Sequence, residues 1–105
     1  MPIRPSTSFD ETRRDILKDP EAAAAYLEEC LAEGDLELFT EALKHVTDAR
    51  LGGMSALAEQ THLARESLYR ALSKRGNPRL ETLTKVLSAN GLRMSITADP
   101  KPELT

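Results

Sequence analysis

The chain reads as an all-α bundle of about five helices closed by one short C-terminal strand. Apolar residues recur at three- and four-residue spacing from residue 19 to residue 90, the period of helices with one buried face. Asp19-Pro20, Asp35, Gly34, the Gly52-Gly53 pair and Gly91 cut that stretch into helix-sized pieces. Only residues 92–97, LRMSIT, alternate with a period of two. At 105 residues, such a chain supports one core.

Residues 1–9 carry Pro, Ser and Thr without a period, and 1–18 read as an N-terminal arm, with at most a short turn capped by Asp10. The first helix opens at DPEAAAAYLEECLAEG. Asp19 is its N-cap, Pro20 its first residue, Glu21 complements the positive dipole end, and Gly34 follows its C-terminus. Ala23, Tyr26, Leu27, Cys30 and Leu31 form its apolar stripe, which makes Cys30 a buried hydrophobe rather than a nucleophile. The second helix starts after Asp35 and runs to about Arg50, with Leu36, Phe39, Leu43 and Val46 inward and His45 on the surface.

Beyond the glycines the helices shorten. Residues 55–60 offer two turns carrying Leu57 and Ala58. RESLYRALSK follows with Leu68, Ala71 and Leu72 on one face, then RGNP breaks the chain. RLETLTKVLSANG makes another helix through Leu80, Leu83, Val86 and Leu87, ended by Asn90-Gly91. Two short helices joined by a tight turn within longer ones form a helix-turn-helix arrangement. The strand at 92–97 has no mate in its own chain. A second copy would supply one across a twofold axis, with Leu92, Met94 and Ile96 as the dimerising face. Residues 19–97 thus form the domain, and 98–105, polar with two prolines, a flexible tail.

Charge is uneven. Acids outnumber bases 17 to 14, yet residues 1–50 hold 12 acids and 6 bases while residues 51–105 hold 5 and 8. Between Arg65 and Arg79 five bases (Arg65, Arg70, Lys74, Arg75, Arg79) stand against Glu66 alone. The two halves point to partners of opposite charge, or to two solvated faces. No apolar run reaches membrane-spanning length, and MPIRPSTSFDETRRD lacks the apolar core of a signal peptide. A single cysteine suits a reducing compartment, so a bacterial cytoplasmic location is expected. Neither histidine, nor the cysteine, nor any carboxylate pair has the spacing of a metal site or an acid–base pair. No cofactor, metal or enzymatic activity is expected.

The segment MSALAEQTHLARESLYRALSKRGNPRLETLTKVLSANGLRMSI resembles the Cro/C1-type (Xre-like) helix-turn-helix domain. More narrowly, with YLEECLAEGD upstream, it is similar to the addiction-module antidote proteins, relatives of HigA-type antitoxins, over about residues 9–97. The resemblance implies operator DNA as a partner, read by the second short helix in the major groove. Arg65, Glu66, Ser67 and Arg70 would face bases, Tyr69 would meet sugar or phosphate, and Lys74, Arg75 and Arg79 would hold phosphates. Two positions depart from the family pattern. His62 replaces the turn glycine, at a site expected to need positive φ, and Ala64 replaces a capping Ser or Thr.

The resemblance also implies a second partner, a small basic RelE/ParE/HigB-like ribonuclease toxin. Glu28, Glu29, Glu33, Glu37 and Glu41 on the outer faces of the first two helices are the candidates to meet it. The leading expectation is an antitoxin that represses its own transcription as a homodimer. The competing expectations are a module that neutralises a toxin without reading DNA, and a stand-alone phage- or plasmid-type repressor.

Overall fold

A computed structural model describes residues 5–73 and 75–100, with side chains from residue 11 onward. Six helices occur among the described residues: α1 (Pro5–Leu17), α2 (Pro20–Ala32), α3 (Leu36–Leu51), α4 (Met54–Thr61), α5 (Arg65–Ala71) and α6 (Leu80–Ala89). The long α3 is the spine. α1 and α2 pack on it and on each other, and α4 packs on its other end, with α5 and α6 both against α4.

The expected count of five helices is corrected to six, because α1 occupies the segment read as an arm. Its sequence is hard to see as a helix: of its described side chains only Leu17 is buried, and Ile16 stays 56 % exposed. Packing on α2 and α3 holds it, together with an Arg14–Asp48 ion pair at 3.0 Å. Both partners are about half exposed, so that pair contributes little.

The boundaries of α2 and α3 follow their caps. The Asp19 carboxylate accepts from the Glu21 amide at 3.4 Å, and Asp35 from the Leu38 amide at 3.1 Å. Gly52 ends α3 in the left-handed region at φ 90°, where a side chain would be strained. The core gathers Leu17, Ala23, Leu27, Cys30, Phe39, Ala42, Leu43, Val46, Leu57, Leu68, Leu72, Val86 and Leu87, one contiguous cluster drawn from all six helices. Burial pushes the Cys30 thiol above its ordinary pKa, and the neighbouring Glu33 carboxylate adds to this, which keeps the sulfur protonated and unreactive.

Three leucines expected inside lie outside: Leu31, Leu36 and Leu80 are 48 %, 63 % and 65 % exposed. His45, expected on the surface, is half-buried, with its Nδ1 3.1 Å from the Tyr26 hydroxyl and its ring stacked on the tyrosine. Asn90 is buried, and its Nδ2 donates to Thr47 Oγ1 at 3.2 Å and to the Val86 carbonyl at 2.9 Å. Arg50 ties the corner: Nε donates to the Asn90 carbonyl at 2.7 Å and Nη1 to the Lys18 carbonyl at 2.5 Å.

The strand expected at 92–97 is not formed. Residues 92–99 carry no regular secondary structure, and no strand occurs among the described residues. The reason is the one that made the segment conspicuous: a ladder needs a second strand, and one chain supplies none.

Candidate nucleic-acid interface

The turn between α4 and α5 is built by three residues that each solve a local problem. His62 caps α4 at φ 60°, ψ 22°, the left-handed conformation expected of the position. The Thr61 hydroxyl donates to the Leu57 carbonyl at 2.7 Å and accepts the Leu63 amide at 3.3 Å, tying the turn back to α4. Ala64 then takes the extended N-cap geometry of α5 with no side-chain bond to the helix amides, as its methyl dictates.

α5 is seven residues long and held from beneath. Leu68 is fully buried, as is Leu72 just past its end. That anchorage turns Arg65, Glu66, Ser67, Tyr69 and Arg70 outward, and all five are exposed. The Arg65 guanidinium carbon lies 5.9 Å from the Tyr69 ring centroid, a cation–π distance that leaves its N–H donors free. Glu66 and Arg70, one turn apart, form no ion pair with each other, so neither charge is neutralised by the other.

The chain after α5 continues the same basic surface. Ser73 Oγ donates to the Arg70 carbonyl at 2.8 Å, and the Gly76 amide to the Ser73 carbonyl at 2.9 Å. Gly76 is required here by close approach: a Cβ would collide with the carbonyl oxygens of Arg70 and Ala71. The tight turn folds Arg75 and Arg79 back beside Arg70, around an open groove of about 420 Å³ that Ser67, Ser73 and Thr82 also line. Lys74 lies outside the described residues. The structure therefore brings Arg70, Arg75 and Arg79 together, with Arg65 and Tyr69 farther along α5. Ser73 and Thr82 were not singled out from sequence, since a lone hydroxyl carries no spacing signal.

The acidic candidates do not form one patch. Glu28, Glu29, Glu33, Glu37 and Glu41 are all exposed, on α2 and α3. Glu37 and Glu41 flank a groove with Lys44 and His45, whereas Glu28 borders a separate, mostly apolar groove beside Leu31. Among the described residues there is no group of three or more His, Cys, Asp or Glu that could hold a metal ion. Among the described residues no helix is long and apolar enough to cross a membrane.

Residues 6–98 match a family model described as "probable addiction module antidote protein". The chain is also similar to an uncharacterized protein of Haemophilus influenzae, 39 % identical over 80 residues, which cover 76 % of this chain and 80 % of that one. No solved structure matches.

Proposed function

The chain belongs to the family of probable addiction module antidote proteins, and from that premise we propose that it is the antitoxin of a toxin–antitoxin pair, of the HigA-like kind. In this reading it binds operator DNA through a Cro/C1-type helix-turn-helix, represses its own transcription from the cytoplasm, and neutralises a small basic RelE/HigB-like toxin. α4, the turn at 62–64 and α5 are the helix-turn-helix, and α5 is the helix that enters the major groove.

The observation that carries the DNA reading is the outward face of α5. Arg65, Glu66, Ser67, Tyr69 and Arg70 are exposed while Leu68 and Leu72 anchor the helix, and the basic surface continues through Arg75 and Arg79. Arg65 and Arg70 fit guanine edges bidentately, Glu66 accepts from cytosine, and Ser67 tolerates either. Arg75, Arg79 and Lys74 serve phosphates, positioning the domain without specifying sequence. A local basic surface suffices despite the net charge of −3, because phosphate attraction acts at short range in salt. Glu28, Glu29, Glu33, Glu37 and Glu41, exposed along α2 and α3, are the acids offered to the toxin.

The test is an anisotropy titration against the DNA upstream of its own gene, at two salt concentrations, with wild type and the Arg65→Ala/Arg70→Ala double variant. Preference for that fragment over a scrambled one, weakened by salt and lost in the variant, is the expected outcome. Equal, weak binding of wild type to both fragments overturns it. One observation favours a second reading, neutralisation without DNA: Ala64 leaves the start of α5 uncapped. In that case the neighbouring toxin still co-purifies with the chain while no DNA is bound.

A further inference from the structure

Tyr69 is a large aromatic side chain that takes no part in the core. It lies 49 % exposed on α5, next to the fully buried Leu68. Its hydroxyl makes no hydrogen bond among the described residues. The contact it does make is with Arg65, one turn earlier, whose guanidinium carbon stands 5.9 Å from the ring centroid. Arg65 is in the complementary position. As the first residue of α5 it has no earlier turn to lie on. Among the described residues no carboxylate pairs with it and no other group accepts from its fork. Glu66 follows it in sequence, but neighbours at i and i+1 do not face each other on a helix, whereas i and i+4 do. The ring is therefore the surface on which this long side chain rests.

We propose that Tyr69 is a positioning residue for base recognition: its ring restrains the Arg65 guanidinium on the outer face of α5, with the N–H groups that pair with guanine O6 and N7 left free. The proposal rests on the operator reading and deepens it in two ways. Tyr69 acts through Arg65 rather than on a sugar or phosphate, and the base that the pair selects is guanine. A flexible arginine gives up rotamer freedom when it meets a base edge, and a side chain already restrained gives up less. A ring face suits this task because it attracts the cation without consuming a donor. A carboxylate at the same position would instead occupy the fork that has to meet the base. The attraction at an exposed position is modest, so Arg65 can still adjust to its partner as the complex forms.

The experiment is a double-mutant cycle on the full chain: Arg65→Ala, Tyr69→Leu and their combination, with Tyr69→Phe beside them, titrated against the upstream fragment. Tyr69→Leu is expected to weaken binding about two- to fivefold, the range of an exposed cation–π contact, and Tyr69→Phe to recover most of that loss. With Arg65 already alanine, Tyr69→Leu should cost nothing further. Fragments carrying 7-deazaguanine at one position at a time, which lack N7, then locate the base. At the guanine where wild type is penalised and Arg65→Ala is not, Tyr69→Leu should show a reduced penalty, with the penalties at other guanines unchanged. In the free protein the Arg65 δ-methylene protons should resonate upfield, inside the tyrosine ring current, in wild type and Tyr69→Phe but not in Tyr69→Leu. Losses that add across the cycle, a Tyr69→Phe variant as weak as Tyr69→Leu, or Arg65 signals indifferent to position 69 would overturn the proposal. Failure of the operator reading looks different: the Arg65 protons are still shifted in the free protein, but wild type does not prefer its upstream fragment, and the guanine assignment falls with it.

Discussion

Replacing Arg50 by alanine should be costly for a residue that is only half-buried. Its guanidinium fork holds the carbonyl of Lys18, just past α1, and that of Asn90, at the end of α6, at 2.5 and 2.7 Å. Both acceptors sit at helix C-termini, where carbonyls lack intrahelical partners and a cation is favoured. Hydrogen bonds to a charged group contribute roughly 1.5–3 kcal/mol each when well shielded. Arg50 is only half-buried, so the lower end applies, and the two bonds with the packed stem come to about 2–3 kcal/mol. For a domain of this size that lowers the melting temperature by roughly 10–20 °C. Arg50→Lys keeps the charge but gives up the fork, and should recover about half. Urea unfolding of wild type, Arg50→Ala and Arg50→Lys at a common m-value measures all three. A loss below about 0.5 kcal/mol for alanine would show the corner is held by apolar packing alone, at the level of an ordinary surface change. Full recovery by lysine would show that charge, not bidentate geometry, is what the corner needs.

The turn before α5 should respond to His62 in opposite directions. His62→Val, a β-branched residue at φ 60°, is expected to cost about 1–2 kcal/mol, while His62→Gly holds or raises stability, both read from thermal melts. Gly76→Ala should destabilise by about 1–3 kcal/mol, since a methyl has no room beside the Arg70 and Ala71 carbonyls. The same urea titration measures it, and a neutral result would mean the 73–79 turn shifts freely. Burial, and secondarily the charge of Cys30, pushes the Tyr26 phenol above its ordinary pKa. Because the folded value lies above the unfolded one, its stabilising contribution is complete below about pH 10 and is lost as pH rises through the folded value. Tyr26→Phe should therefore flatten the alkaline side of the stability–pH curve, followed by chemical denaturation.

Much of the architecture is legible in residue order because it rests on local chemistry. Asp19-Pro20 and Asp35 start helices where their side chains reach the first amides, and glycines at 34, 52 and 91 end them with positive φ. Two of the three leucines misplaced by periodicity share a cause. Leu36 and Leu80 are the first residues of α3 and α6, and a helical side chain leans toward the turn before its own Cα. At a helix start that turn does not exist, so an in-phase leucine meets solvent. Contacts far apart in sequence are illegible for a different reason. Asn90 reaches Thr47 and His45 reaches Tyr26 only after α3 has been laid against its neighbours, and α1 is held only by packing on α2 and α3. Of the candidate interface, the exposed face of α5 follows from Leu68 and Leu72 being apolar. The approach of Arg75 and Arg79 to Arg70 depends on the Gly76 turn, whose shape no spacing rule encodes.

The separation of charge described above also makes the molecule an electric dipole. Most of the exposed carboxylates of the first half stand on α2 and α3, while arginines stand on α5 and the turn after it. In the field of a polyanion such a body experiences a torque before it makes any contact. The α2 side is repelled and the α5 side drawn in, although the net charge of −3 opposes approach as a whole. Raising ionic strength then has two opposed effects on the encounter rate, weakening the long-range repulsion while blunting the orienting torque. The rate of complex formation with DNA should thus vary less with salt than the lifetime of the complex, whose salt dependence comes from the contacts to phosphates.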